Sequence, residues 1–214
     1  MSYKLKIIPT GDYQANAYIL YEGSKACIID PGHEGQVLLL ELEGLELEAI
    51  ILTHRHCDHV GAAQFIKDKT GAPIYIHEAD LEAAKSPKEF AYTGVVNGFT
   101  PGPIKGADVV LKDGDEIKLS FTSLKVLHTP GHTTGGICLY NEHDIFTGDT
   151  LFTGSMGRTD FESGNQIQMF KSLIKLSKLN EGLKVYPGHG ESTSIKKEKE
   201  TNQFMRFACS HYKL

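Results

Sequence analysis

Residues 53–59 read THRHCDH, directly after the apolar run AIIL at 49–52. Three histidines and an aspartate on one short turn restrict the chain more than any other stretch. A buried β-branched run reads as a strand, and the turn after it must present several titratable groups together. In an extended segment, residues two apart point the same way, so His54 and His56 aim at one place. Asp58 and His59 follow where the chain turns into the next helix, and they face a neighbouring place.

Three further segments share that composition. HTPGHTTGG (128–136) offers His132, FTGDTLF (146–152) offers Asp149 and VYPGHGES (185–192) offers His189. Each candidate lies near a strand end beside glycine, where the backbone can turn sharply and leave the side chain free. Counted by chemistry, His54, His56 and His132 supply three imidazoles for one ion. Asp58, His59 and His189 supply three ligands for a second, and Asp149 is left to bridge them. Imidazole and carboxylate without thiolate suit zinc, iron or manganese in a reactive site. Three protein ligands and an open position mark catalytic rather than structural zinc. Two such ions sharing a carboxylate can hold a hydroxide at neutral pH. His33, His77, His143 and His211 lack such company and read as ordinary surface or core residues. His128 reads as a hydrogen-bonding neighbour of His132.

The rest of the chain fits that picture. Strands are predicted at 3–8, 16–22, 26–30, 48–52, 73–77, 116–120, 123–128, 137–141, 144–147 and 184–187. Helices are predicted from 36, over 61–71, 78–85, 165–179 and 194–206. The order, strands then helices twice over, suggests two packed sheets with helices outside. Residues 87–103, with Phe90, Tyr92 and Phe99, read as a long loop whose rings either border a site or pack inward. The four cysteines form no CxxC pair, so reduced thiols are expected. Cys57, inside the motif, reads as a small side chain rather than a ligand. With 22 basic and 27 acidic residues the net charge is −5. That offers no electrostatic footprint for nucleic acid and no cationic membrane face. No stretch approaches the roughly 18 apolar residues of a membrane span. The N-terminus MSYKLKIIPTGDYQ holds no apolar leader-like core, so a cytoplasmic location is expected.

THRHCDHVG, HTPGHT, GDTLF and YPGHG, in that order, resemble the metallo-β-lactamase superfamily, from Asp30-Pro31-Gly32 to His189. The resemblance implies an α/β fold, a four-layer αββα sandwich, with residues 1–214 as a single such domain. It implies a metal site at the edge where the sheets meet, with the ligand division given above and Asp30 as a supporting residue. GDTLFTGSMGRTDFESGN (148–165) is similar to the small bacterial glyoxalase II-like hydrolases. These cleave thioesters of glutathione such as S-lactoylglutathione. The implied activity is thioester hydrolysis through a metal-bridging hydroxide, with two divalent ions, zinc foremost, and Asp58 orienting the attack. Family enzymes that bind glutathione through a C-terminal helical domain carry it beyond the region matching His189. Only 25 residues, from 190 to 214, remain here. GRTD (157–160) also resembles persulfide dioxygenases, which use one iron and in which the arginine matching Arg158 contacts glutathione. The other reading of Arg158 is a salt bridge with Asp160 or Glu162. A mono-iron dioxygenase, a lactonase and a non-catalytic metal-binding module are the alternatives to a small-molecule thioesterase.

Overall fold

The computed structural model describes residues 3–91 and 93–213, so Tyr92 lies outside the described residues. Strands β1 (Lys4–Thr10), β2 (Ala15–Glu22) and β3 (Lys25–Ile29) form an antiparallel meander. Helix α1 (Gly35–Glu41) crosses to β4 (Glu46–Ile51), which pairs parallel with β3. Helices α2 (Cys57–Val60) and α3 (Ala63–Thr70) lead to β5 (Ile74–His77), and α4 (Glu78–Ala84) leads towards β6 (Val109–Leu111). These parallel strands complete a six-stranded sheet in the order β1-β2-β3-β4-β5-β6.

The second sheet uses β7 (Glu116–Lys118), β8 (Ser123–His128), β9 (Ile137–Tyr140) and β10 (Asp144–Gly148), all antiparallel neighbours. A ribbon of β11 (Leu151–Phe152) and β12 (Ser155–Met156) precedes α5 (Gln166–Ser177). Strand β13 (Lys184–Pro187) joins β10 in parallel, and β14 (Thr193–Ser194) closes the edge. Helices α6 (Ile195–Thr201) and α7 (Gln203–His211) end the chain. The order of this sheet is β14-β13-β10-β9-β8-β7.

Alternate residues of the first sheet enter different cores, as the period of two requires. Ala17, Ile19, Ala26, Ile28, Ile50 and Leu52 pack with Leu38 of α1 and Ile66 of α3. Tyr18, Leu20, Cys27, Ile29, Ala49 and Ile51 pack with Leu124, Val126, Leu139 and Phe146 of the second sheet. The other face of that second sheet, with Ile145 and Val185, packs with Leu173 of α5 and Met205 of α7. Helix, sheet, sheet, helix is therefore the layer order. Burial on both faces explains why β3 and β4 read as continuous apolar runs rather than alternating ones.

One expectation is corrected, and at the 87–103 loop one of two open readings, inward packing, is the one found at Phe99. The stretch 194–206 is two helices and a strand residue, broken at Asn202, whose backbone is extended (φ −72°, ψ 112°). Its side chain accepts from the N–H groups of Phe204 and Met205 and donates to the Ser155 carbonyl, so tertiary contact overrides helical spacing. The loop after α4 starts with a turn of 3-10 helix at Pro87–Phe90, and Phe99 packs inward against Phe65 and His33. Among the described residues no helix is long and apolar enough to cross a membrane.

Candidate metal centre

The ends of β3, β4, β8, β10 and β13 converge on one edge of the sandwich. Backbone bonds lock the two sheets there: Asn16 N–H to Gly188 O at 2.7 Å, and Ile137 N–H to Thr53 O at 2.9 Å. Beyond β4 the chain leaves the sheet at Thr53. Asp30, which follows β3, accepts from the Thr53 N–H at 2.7 Å and from its hydroxyl at 2.6 Å. That contact fixes where the extended 53–56 segment begins. His56 caps α2 with extended φ and ψ, so Asp58 and His59 lie in the helix's first turn.

The sequence-predicted residues come together. Donor atoms of His54, His56 and His132 lie within 4.8 Å of one another, and so do those of Asp58, His59 and His189. Asp149, one residue beyond β10, faces both groups. Its Oδ2 is 3.3 Å from His132 Nε2 and 3.6 Å from His189 Nε2, and its Oδ1 is 3.4 Å from His59 Nε2. Asp58 Oδ2 is 3.3 Å from His189 Nε2. Close approach is possible because glycine stands at 188, where a Cβ would lie 2.2 Å from Asp149 Oδ1.

Three of the outer ring nitrogens are held by Asp30 or by backbone carbonyls. Nδ1 of His59 bonds Asp30 at 3.0 Å, that of His132 the Arg158 carbonyl at 2.8 Å, and that of His189 the Tyr13 carbonyl at 3.0 Å. A carbonyl can only accept, so in His132 and His189 the proton sits on Nδ1 and the Nε2 lone pair points inward. Orienting partners of this kind accompany metal-bound imidazoles. The Tyr13 and Arg158 carbonyls escape sequence reading, because a carbonyl partner leaves no signature in residue type.

The electrostatics are those of a site built for cations. Burial, then the neighbouring imidazoles, lowers His54 well below its ordinary pKa. Burial, then His132, pushes His56 down to about 3. Burial opposes a charged ring at His59, yet Asp58, Asp149 and Asp30 outweigh it and push that group up to about 10. Burial also opposes ionised Asp58, but His59 and His189 hold it below the usual carboxylate range. His54 Nε2, His132 Nε2 and Asp149 Oδ1 are buried without a hydrogen-bond partner among the described residues. Leaving such a group unpaired costs about 1–3 kcal/mol, so three together make a misfit unless a cation takes their lone pairs. The donor set is all nitrogen and oxygen, which fits a pair of divalent ions.

Not every predicted group points inward. The Arg158 side chain makes a bidentate pair with Asp160 at 2.7 and 2.8 Å and lies 3.9 Å over the Phe161 ring. Phe161 in turn packs edge-on against His56 and His132. His128 bonds the Thr134 carbonyl at 2.8 Å and stacks on His77, away from the cluster. Cys57 is half-buried, and burial pushes its thiol up to about 11, so it stays protonated.

Residues 10–189 match the family described as the metallo-beta-lactamase superfamily. A Haemophilus influenzae protein named hydroxyacylglutathione hydrolase GloC is 37% identical over 94% of this chain and 97% of its own length. The solved structure of the B3 metallo-beta-lactamase BLEG-1 has a TM-score of 0.86 at 35% identity, covering 94% of this chain and 99% of that one. The structure of TTHA1623 in a di-iron-bound form has a TM-score of 0.81 at 34% identity, covering 93% and 99%.

Proposed function

This chain belongs to the metallo-beta-lactamase superfamily, and from that premise we propose that it is a two-metal hydrolase of small thioesters, with S-lactoylglutathione as the test substrate. The observation that carries the reading is the meeting of seven nitrogen and oxygen donors, three of them buried without a hydrogen-bond partner among the described residues. His54, His56 and His132 would hold one cation and Asp58, His59 and His189 the other, with Asp149 between them. The cations, zinc foremost with iron or manganese accepted by the same donors, would supply Lewis acidity that makes water nucleophilic and polarises a carbonyl.

The remaining work falls to the chain. Asp58 stays ionised under its histidine neighbours and accepts a hydrogen bond from the attacking water, which aims it. Asp30 keeps His59 oriented through Nδ1. The leaving thiolate has a pKa near about 8.5, so it departs without a dedicated acid. Phe161 packs on His56, and the Arg158 guanidinium lies over the Phe161 ring. A carboxylate of a glutathione-like leaving group would compete with Asp160 for the guanidinium. The likeness to the Haemophilus protein supports this choice of thioester.

Elemental analysis alongside thioester hydrolysis and oxygen uptake tests the proposal. About two equivalents of metal with hydrolysis of S-lactoylglutathione is the expected result. One iron with persulfide-dependent oxygen uptake and no hydrolysis would contradict it. Two metals with no turnover of any thioester, ester or lactone would point to a binding module instead.

A further inference from the structure

Asp80 lies in the first turn of α4 and is fully buried, and among the described residues it forms no ion pair. Its Oδ2 accepts from the Arg55 N–H at 3.1 Å and from the Thr133 hydroxyl at 2.6 Å. Its Oδ1 accepts from the Gly135 N–H at 2.8 Å and more distantly from the Thr134 hydroxyl at 3.4 Å. Arg55 stands between His54 and His56, and Thr133 follows His132. One carboxylate therefore joins the two chain segments that carry the first trio. It bonds to none of Asp58, His59 and His189; Asp30 holds His59 directly and reaches His54 of the first trio only through the Thr53 hydroxyl, 3.1 Å from His54 Nδ1.

The packing is committed to this contact. A Cβ at residue 135 would lie 2.6 Å from Asp80 Cγ and 2.6 Å from its backbone nitrogen, so only glycine fits. A buried carboxylate is costly to desolvate unless its lone pairs are filled. Here the donors are backbone and hydroxyl groups of the two segments, so filling them fixes the segments' separation.

We propose that Asp80 is a positioning residue for the first cation: it sets the spacing of His54, His56 and His132 and leaves the Asp58, His59 and His189 trio untouched. The inference rests on the two-cation reading of the site and not on the choice of substrate. It also makes the isosteric amide a poor replacement. In Asp80→Asn one position must carry an NH2 group. Whichever it is, that group meets a backbone N–H, of Arg55 or of Gly135, and neither can accept. The hydroxyl of Thr133 could turn to accommodate it, but the amides cannot.

The test is zinc titration of metal-free protein against a chromophoric chelator, with cobalt absorption as a second readout. Variants are Asp80→Asn, Thr133→Val and Thr133→Ser. In Asp80→Asn one of two equivalents should weaken by about 10- to 100-fold, the range seen for residues behind metal ligands, while the other is kept. Thr133→Val, which keeps the carboxylate and deletes one bond, should weaken the same equivalent less, and Thr133→Ser should restore it. Thr133→Val decides the matter if Asp80→Asn does not fold. Wild-type affinity at both equivalents in Thr133→Val and any folded Asp80→Asn overturns the inference, as does equal weakening of both. Wild type that binds two zinc ions without hydrolysing S-lactoylglutathione sinks the substrate assignment alone.

Discussion

At the scale of single residues, Asp149 and His56 decide most. Asp149 is placed within 3.6 Å of ring nitrogens from both trios, so truncating it removes a donor from each side. Asp149→Ala and His56→Ala should each abolish turnover and lower the metal content of purified protein. Either variant with wild-type activity would refute the assignment. His59 adds a pH prediction. Metal binding requires its neutral form, while in the metal-free protein the nearby carboxylates keep it charged up to about pH 10. Each unit of pH gained below that point removes about 1.4 kcal/mol from the cost of deprotonation. Zinc affinity should therefore rise between about pH 6 and 9, with proton release seen by calorimetry in two buffers of unlike ionisation enthalpy. Constant affinity without proton release would contradict this. The seven donors were legible because each sits in a short motif of unusual residue type. Asp80 was not, since its partners are the Arg55 amide, 25 residues before it, and an amide and hydroxyls of 133–135, more than fifty residues after it. For Arg158, the local reading, a pair with Asp160, is the contact the structure forms.

At the scale of elements, junctions matter more than lengths. His77 ends β5 and caps α4, accepting from the Ala79 N–H through Nδ1 at 3.3 Å. Burial, then the stacked ring of His128, lowers its pKa. The unfolded chain recovers the ordinary value near about 6.5. Below that pH the unfolded state binds more protons than the native one, so stability falls as pH drops through this value and is unaffected above it. His77→Gln should flatten the acid side of a urea-midpoint series; an unchanged slope would remove His77 as a cause. The buried strands β2 to β5 were legible from apolar runs. Strands β6, β11, β12 and β14 span two or three residues each, too short for any periodicity. The break between α6 and α7 was hidden for another reason. Asn202 bonds to Ser155 and Glu198, and those contacts exist only once the ribbon and the helices are packed.

At the scale of the whole molecule, the sandwich places strand ends from both sheets at one edge, and the core holds that edge in register. Phe146 is fully buried, stacked on Tyr186 with centroids 5.2 Å apart and edge-on to Tyr18, which belongs to the opposite sheet. Phe146→Ala should cost about 3–5 kcal/mol, read from urea unfolding. Leu40→Ala, at a position 70% exposed on α1, should stay within about 0.5 kcal/mol. Equal effects would mean the inter-sheet core is misplaced. That edge gathers the seven donors. Anomalous diffraction from zinc-loaded crystals tests most directly whether they hold two cations. The account predicts two peaks, one among His54, His56 and His132 and one among Asp58, His59 and His189, with Asp149 between them. A single peak elsewhere, or none in zinc-saturated crystals, would contradict it.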